Sequence, residues 1–145
     1  MDQFMADSLP TQIQLEIVTP DRQVVHDAVS AVTIPGKNGY LGILPGHAPL
    51  LSELKAGELV YTCEAVKHHL AVSWGFAEVL PGRVIILAQT AERAEEIDCT
   101  RAEHALERAQ ERLKQVSDPT IDAERAREAY ERARARLQAA RRTGG

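Results

Sequence analysis

Apolar and polar positions alternate along the first part of the chain and then change period. In Ile13-Gln14-Leu15-Glu16-Ile17, and again in Val29-Ser30-Ala31-Val32-Thr33-Ile34, alternation predicts strands with one wet face and one face on a core. Runs rich in Val, Ile, Leu and Tyr extend the prediction to strands over 13–19, 28–34, 58–63, 68–74 and 83–87. Between them stand explicit turn signals: Thr19-Pro20-Asp21-Arg22, Pro35-Gly36-Lys37-Asn38-Gly39, Pro45-Gly46, Lys55-Ala56-Gly57 and Pro81-Gly82. From about Glu92 the apolar spacing becomes three and four. Ala102, Ala105, Leu106, Ala109, Leu113 and Val116 share one helix face, and Ala126, Ala129, Tyr130, Ala133, Leu137 and Ala140 share a second. Ser117-Asp118-Pro119-Thr120 separates them, with Asp118 expected to cap and Pro119 to open the second helix. So short a connection predicts antiparallel helices. The expected architecture is an N-terminal antiparallel β-sandwich over 1–91 followed by a C-terminal antiparallel two-helix hairpin over 92–145.

Composition sharpens this division. Six of the seven prolines and seven of the nine glycines lie at or before position 82. The helical seams are mostly alanine, which permits close approach but buries little apolar area, so the hairpin is expected to lean on the sandwich or on a partner. A net charge of −4, with no basic patch interleaved with aromatics, argues against a nucleic-acid binder. No window approaches the roughly 18 apolar residues of a membrane span, and the first ten residues lack the signal-peptide pattern. Two cysteines, Cys63 and Cys99, make no disulfide framework and point to a reducing compartment.

The residues that usually carry chemistry are not assembled. Of five histidines, His68 and His69 are neighbours in a strand and point to opposite faces, while His26, His47 and His104 have no partner at metal-ligand spacing. No phosphate-binding P-loop, nucleophile elbow, pair of carboxylates framed by apolar residues or Cys-x-x-Cys is present. The chain therefore reads as a non-enzyme that needs no cofactor or metal. One constellation stands out in the helical part. Arg101 follows Asp98 by three residues and Arg136 follows Arg132 by four, and a turn centred between Asp118 and Pro119 sets Arg136 level with Arg101. Three guanidinium groups would then converge near Asp98, with Glu92 just before it. Such a fork of donors suits a phosphate chain, although the same alternation of Glu and Arg also describes a solvated helix face. Residues 132–145 hold five arginines and no acid, which reads either as a basic helix end or as a stripe for an acidic partner.

Four motifs in order make the chain resemble the epsilon subunit of bacterial F-type ATP synthase: Gly42-Ile43-Leu44-Pro45-Gly46-His47-Ala48-Pro49-Leu50-Leu51, Trp74-Gly75-Phe76-Ala77-Glu78-Val79, Leu87-Ala88-Gln89-Thr90-Ala91-Glu92 and Ile97-Asp98-Cys99-Thr100-Arg101-Ala102. The resemblance implies a non-catalytic central-stalk component of a complex that couples proton flow to ATP synthesis. Its sandwich would sit between the gamma subunit and the ring of c subunits, peripheral to the cytoplasmic face of the bacterial cell membrane. The loop from Tyr40 to His47 is expected towards the ring and gamma; Tyr40 stands where some members carry an acid, which removes a charge from that contact. The helices would fold on the sandwich or extend towards the beta (and alpha) subunits, where Arg132, Arg134, Arg136, Arg141 and Arg142 would meet acidic segments and inhibit ATP hydrolysis. Some members bind ATP as a regulatory ligand through an Asp-x-x-Arg-Ala motif. Here that motif falls on Asp98 and Arg101, with Glu92, Arg132 and Arg136 beside it. The alternative is a stand-alone ATP-sensing module that controls another partner through its helices.

Overall fold

In the computed structural model, residues 9–143 are described, with side chains as far as residue 141. Eight strands come first: β1 (Ile13–Val18), β2 (Gln23–Val29), β3 (Ala31–Gly36), β4 (Gly39–Ile43), β5 (Leu50–Leu54), β6 (Gly57–Cys63), β7 (Val66–Leu80) and β8 (Arg83–Arg93). A 3-10 turn, Ala94–Glu96, leads to helix α1 (Cys99–Lys114) and helix α2 (Ala123–Thr143). The strands run in the order β2-β1-β8-β7-β5-β3-β4, and β6 bridges β3 and β7. The alternation read in β1 has its cause here, since Ile13, Leu15 and Ile17 lie fully inside the sandwich with Val32, Ile34, Leu59, Leu70 and Ile86. Pairings are antiparallel except where β1 lies parallel to β8. These are the first and last strands, joined through the whole sandwich and not by a hairpin.

Three expectations are corrected. The predicted strand over 28–34 is two strands, broken at Ser30, whose backbone N–H and Oγ both donate to the Thr62 carbonyl (2.9 and 3.3 Å). Val29 and Val32 are both buried although an odd number of residues apart, so the parity of the pleat changes at the break. Strands β4 and β5 were not read from the pattern, because β4 carries two glycines and β5 turns Leu51 outward. The second helix begins at Ala123, later than expected. Asp122 accepts from the Arg125 N–H (3.1 Å), whereas Asp118 closes a tight turn onto Thr120 (2.9 Å to N, 2.8 Å to Oγ1).

Strand β7 reaches across the sandwich, pairing with β6 through Val72 and with β5 from Gly75 onward. The change of partner occurs at a bend where Trp74 and Gly75 have φ of 40° and 138°. A Cβ on Gly75 would lie 1.8 Å from the Leu87 carbonyl oxygen, so only glycine fits.

Helix α2 is buried on two opposite faces. Ala126, Ala133, Leu137 and Ala140 lie on the expected seam towards α1, which buries Ala102 and Ala109 in turn. On the other side, Ala135 and Ala139 pack with Ala71 of β7 and Ala94. This second seam was not anticipated, and through it the hairpin leans on the sandwich.

Candidate functional site: a cleft between sandwich and hairpin

Where the last strand gives way to the first helix, the chain makes a cleft of about 160 Å³ lined by Glu92, Glu96, Ile97, Asp98, Arg101 and Arg136, with Ala102 at its floor. Each wall has a local cause. Glu92 is held at the end of β8 by its pairing with Ala71 on β7. Asp98 caps α1, accepting the Arg101 N–H at 3.1 Å, so the cleft lies at the positive end of that helix. Arg136 enters from α2 and donates from Nε to Glu92 at 2.5 Å; both side chains are about one-third exposed. Glu96 is turned aside by Arg22 (3.3 Å) from the loop between β1 and β2.

Four of the five residues grouped from sequence spacing, Glu92, Asp98, Arg101 and Arg136, therefore meet in one cleft. The fifth does not join them. Arg132 lies with its guanidinium carbon 5.5 Å from the centroid of the Trp74 ring, in a cation–π contact. The expected convergence of three guanidinium groups is thus reduced to two. Arg132 is one helical turn nearer the bend in β7, and there it meets an aromatic face before it can reach Asp98. Glu96 was missed; the acidic pair Glu95-Glu96 just before Ile97 was the available signal.

The residues expected at partner contacts are dispersed. Tyr40 is half exposed on β4 under the Lys55 ammonium (5.4 Å), and it lines a second cleft together with Arg134. His47 sits in the turn after β4, with Nδ1 2.7 Å from the Ala48 carbonyl oxygen. Arg134 and Arg141 are exposed on α2, and the Arg142 side chain lies outside the described residues. His68 and His69 do face opposite ways: His68 stacks on Tyr61 (4.8 Å), and His69 pairs with the buried Glu58 (3.0 Å). Among the described residues, no group of three or more His, Cys, Asp or Glu is placed to hold a metal ion. No described helix is long and apolar enough to cross a membrane.

Comparison with known proteins decides the family. The model of the ATP synthase delta/epsilon chain β-sandwich domain matches residues 12–94, and that of the ATP synthase delta/epsilon chain long α-helix domain matches 95–141. The chain belongs to the ATP synthase delta/epsilon family. An ATP synthase epsilon chain of Koribacter versatilis is 57% identical over 115 residues, covering 79% of this chain and 78% of the relative. One of Carboxydothermus hydrogenoformans is 52% identical over 102 residues, covering 70% and 76%. Among solved structures, a chain in the Euglena gracilis mitochondrial ATP synthase (OSCP/F1/c-ring) superposes with a TM-score of 0.80 at 32% identity, covering 92% of this chain and 83% of that one. A chain in the Tetrahymena thermophila central stalk and c-ring shares the fold at 14% identity and a TM-score of 0.55, covering 95% of this chain and all of that one. In this member of the delta/epsilon family, the boundary between the two matched domains falls at the 3-10 turn beside the cleft.

Proposed function

We propose that this chain is a non-catalytic epsilon subunit of the central stalk, whose sandwich joins the gamma subunit to the c-ring and whose hairpin regulates ATP hydrolysis. ATP, held in the cleft, is the ligand that keeps the hairpin compact. The observation that carries this reading is the placement of Glu92, Asp98, Arg101 and Arg136 at the junction of sandwich, α1 and α2. A polyphosphate there touches all three elements at once, binds the compact arrangement better than an open one, and shifts the population by that difference. The basic stripe supports the inhibitory half of the reading. In the compact arrangement Arg136 is engaged by Glu92 and Arg132 by Trp74; opening frees both for acidic segments of the beta subunits.

The sandwich supports assembly on its own evidence. Leu51, Phe76 and Leu87 are 69%, 49% and 54% exposed although the core beneath them is complete. Phe76 stands directly across from Leu87, and Leu51 lies on the neighbouring strand. Such an apolar face on the outside of a filled sandwich fits a partner surface, and we assign it to gamma. Association then places the chain at the membrane through the complex, on its cytoplasmic side. The test is reconstitution with gamma, alpha and beta subunits. The expected result is co-purification with gamma and slower ATP hydrolysis, relieved as ATP rises. A stand-alone module would bind ATP and leave those subunits alone.

A further inference from the structure

We infer that Trp74 is a parking site for Arg132, and that ligand entry into the cleft transfers this arginine from the indole face to the phosphates; the inference rests on the reading of the cleft as an ATP site. The two arginines on this edge of α2, four residues apart, have different occupations. Arg136 donates to Glu92 inside the cleft, whereas Arg132, half-buried, lies over the Trp74 ring and has no carboxylate partner among the described residues. Trp74 belongs to the sandwich and not to the hairpin, since it sits in the left-handed bend of β7 next to Gly75. Arg132 and Arg136 also line one tight crevice with Ser73, Thr90 and Glu92 that holds no water-sized space, so Arg132 already stands beside the cleft wall and enters the cleft when the side chains between them move.

Size and chemistry both favour the move. At about 160 Å³ the cleft is smaller than the roughly 300–1,000 Å³ of ordinary ligand sites, so a nucleotide there reaches beyond it to the neighbouring side chains. A triphosphate then offers more anionic oxygens than Arg101 and Arg136 can meet. A guanidinium on an aromatic ring uses its face and leaves its N–H fork unspent, and phosphate is the partner that fork fits. Over the Trp74 ring, Arg132 does not line the cleft, so reaching a phosphate held there means leaving the ring, and Trp74 lowers the fraction of chains with Arg132 available and weakens apparent affinity by that fraction. Trp74 is thus a positioning residue that sets the ATP concentration at which the hairpin is held.

Trp74 is the single tryptophan of the chain, so its own emission reports the transfer. With the full chain, the expected result is a saturable change in tryptophan emission on ATP titration, and ligand-free Arg132→Ala should already resemble the ATP-saturated native protein. In calorimetry, Trp74→Leu should bind ATP roughly two- to tenfold more tightly, and the gain should vanish in the Trp74→Leu/Arg132→Ala pair, as a merely structural role would not require. Should Trp74→Leu fold poorly, the emission comparison between the native chain and Arg132→Ala decides by itself. Saturable ATP binding with unchanged emission and equal affinity in Trp74→Leu overturns the transfer and leaves the ATP site standing. Absence of ATP binding in both native and Trp74→Leu chains overturns both.

Discussion

At the scale of single residues, the bend in β7 provides a clean test of what glycine does here. Gly39 and Gly75 have nearly the same φ, 137° and 138°, but a Cβ at Gly39 meets nothing within 4 Å, whereas at Gly75 it runs into the Leu87 carbonyl. Gly39→Ala should therefore cost only backbone strain, about 1–2 kcal/mol. Gly75→Ala adds a collision with backbone that cannot yield and should cost about 3 kcal/mol or more. Urea unfolding of the two variants measures the difference directly. Tyr61 gives a second residue-level expectation. Burial pushes its phenol above the ordinary value of 10.0, against the opposing hydrogen bond from Arg93. A group whose folded value is raised contributes stability below its unfolded value and loses it as pH climbs past that value. The urea midpoint should fall from about pH 10 upward, and the fall should be shallower in Tyr61→Phe. Residues of this kind also show where the sequence was legible. The spacing of Asp98, Arg101 and Arg136 carried the cleft because i, i+3 and antiparallel register are properties of the helix itself. The destination of Arg132 depends on a left-handed residue in a distant strand, and nothing local to α2 encodes it.

At the scale of elements, α2 is the piece on which the arrangement turns. The heptad-like spacing of Ala126, Ala133, Leu137 and Ala140 revealed the seam with α1, since larger apolar neighbours marked it. Among the described residues, α2 contributes Ala135 and Ala139 to the opposite seam, and two alanines among arginines give too weak a moment to be read as a buried face. Strand β5 escaped for the converse reason, as Leu50 and Leu51 are exposed and of its three leucines Leu54 alone reaches the core. Filling the second seam should undock the hairpin selectively. Ala139→Leu, at a fully buried position, should destabilise docking by about 1–3 kcal/mol. Hydrogen exchange should then show faster exchange in α1 and α2 while the amides of β1, β7 and β8 keep their protection. Slower exchange across the hairpin would mean that the seam has room, and that docking does not depend on its close fit.

At the scale of the whole molecule, a filled sandwich with an apolar outer face is joined to a hairpin held by small side chains and a few partly exposed ion pairs. On the proposed reading, the sandwich transmits torque and the weakly docked hairpin moves. Charge follows the same division, since Arg132 and Arg136 of α2 are engaged in the closed hairpin and, on that reading, become available when it opens. Removing the tie between the two parts, by Arg136→Ala or Glu92→Ala, should shift the resting population towards the open arrangement by about 1 kcal/mol, the scale of a partly exposed pair. Glu92→Ala, which leaves Arg136 in place, should also strengthen inhibition of the reconstituted complex at low ATP. The most direct measurement is calorimetric titration of the full chain with ATP and, separately, ADP, on the native protein and on Arg101→Ala. The expected result is saturable ATP binding that weakens by about tenfold or more, some 1.4 kcal/mol, when Arg101 is lost, with the sandwich still folded. Binding of equal strength in Arg101→Ala, or no binding to the native chain, would contradict the assignment of the cleft as the regulatory site.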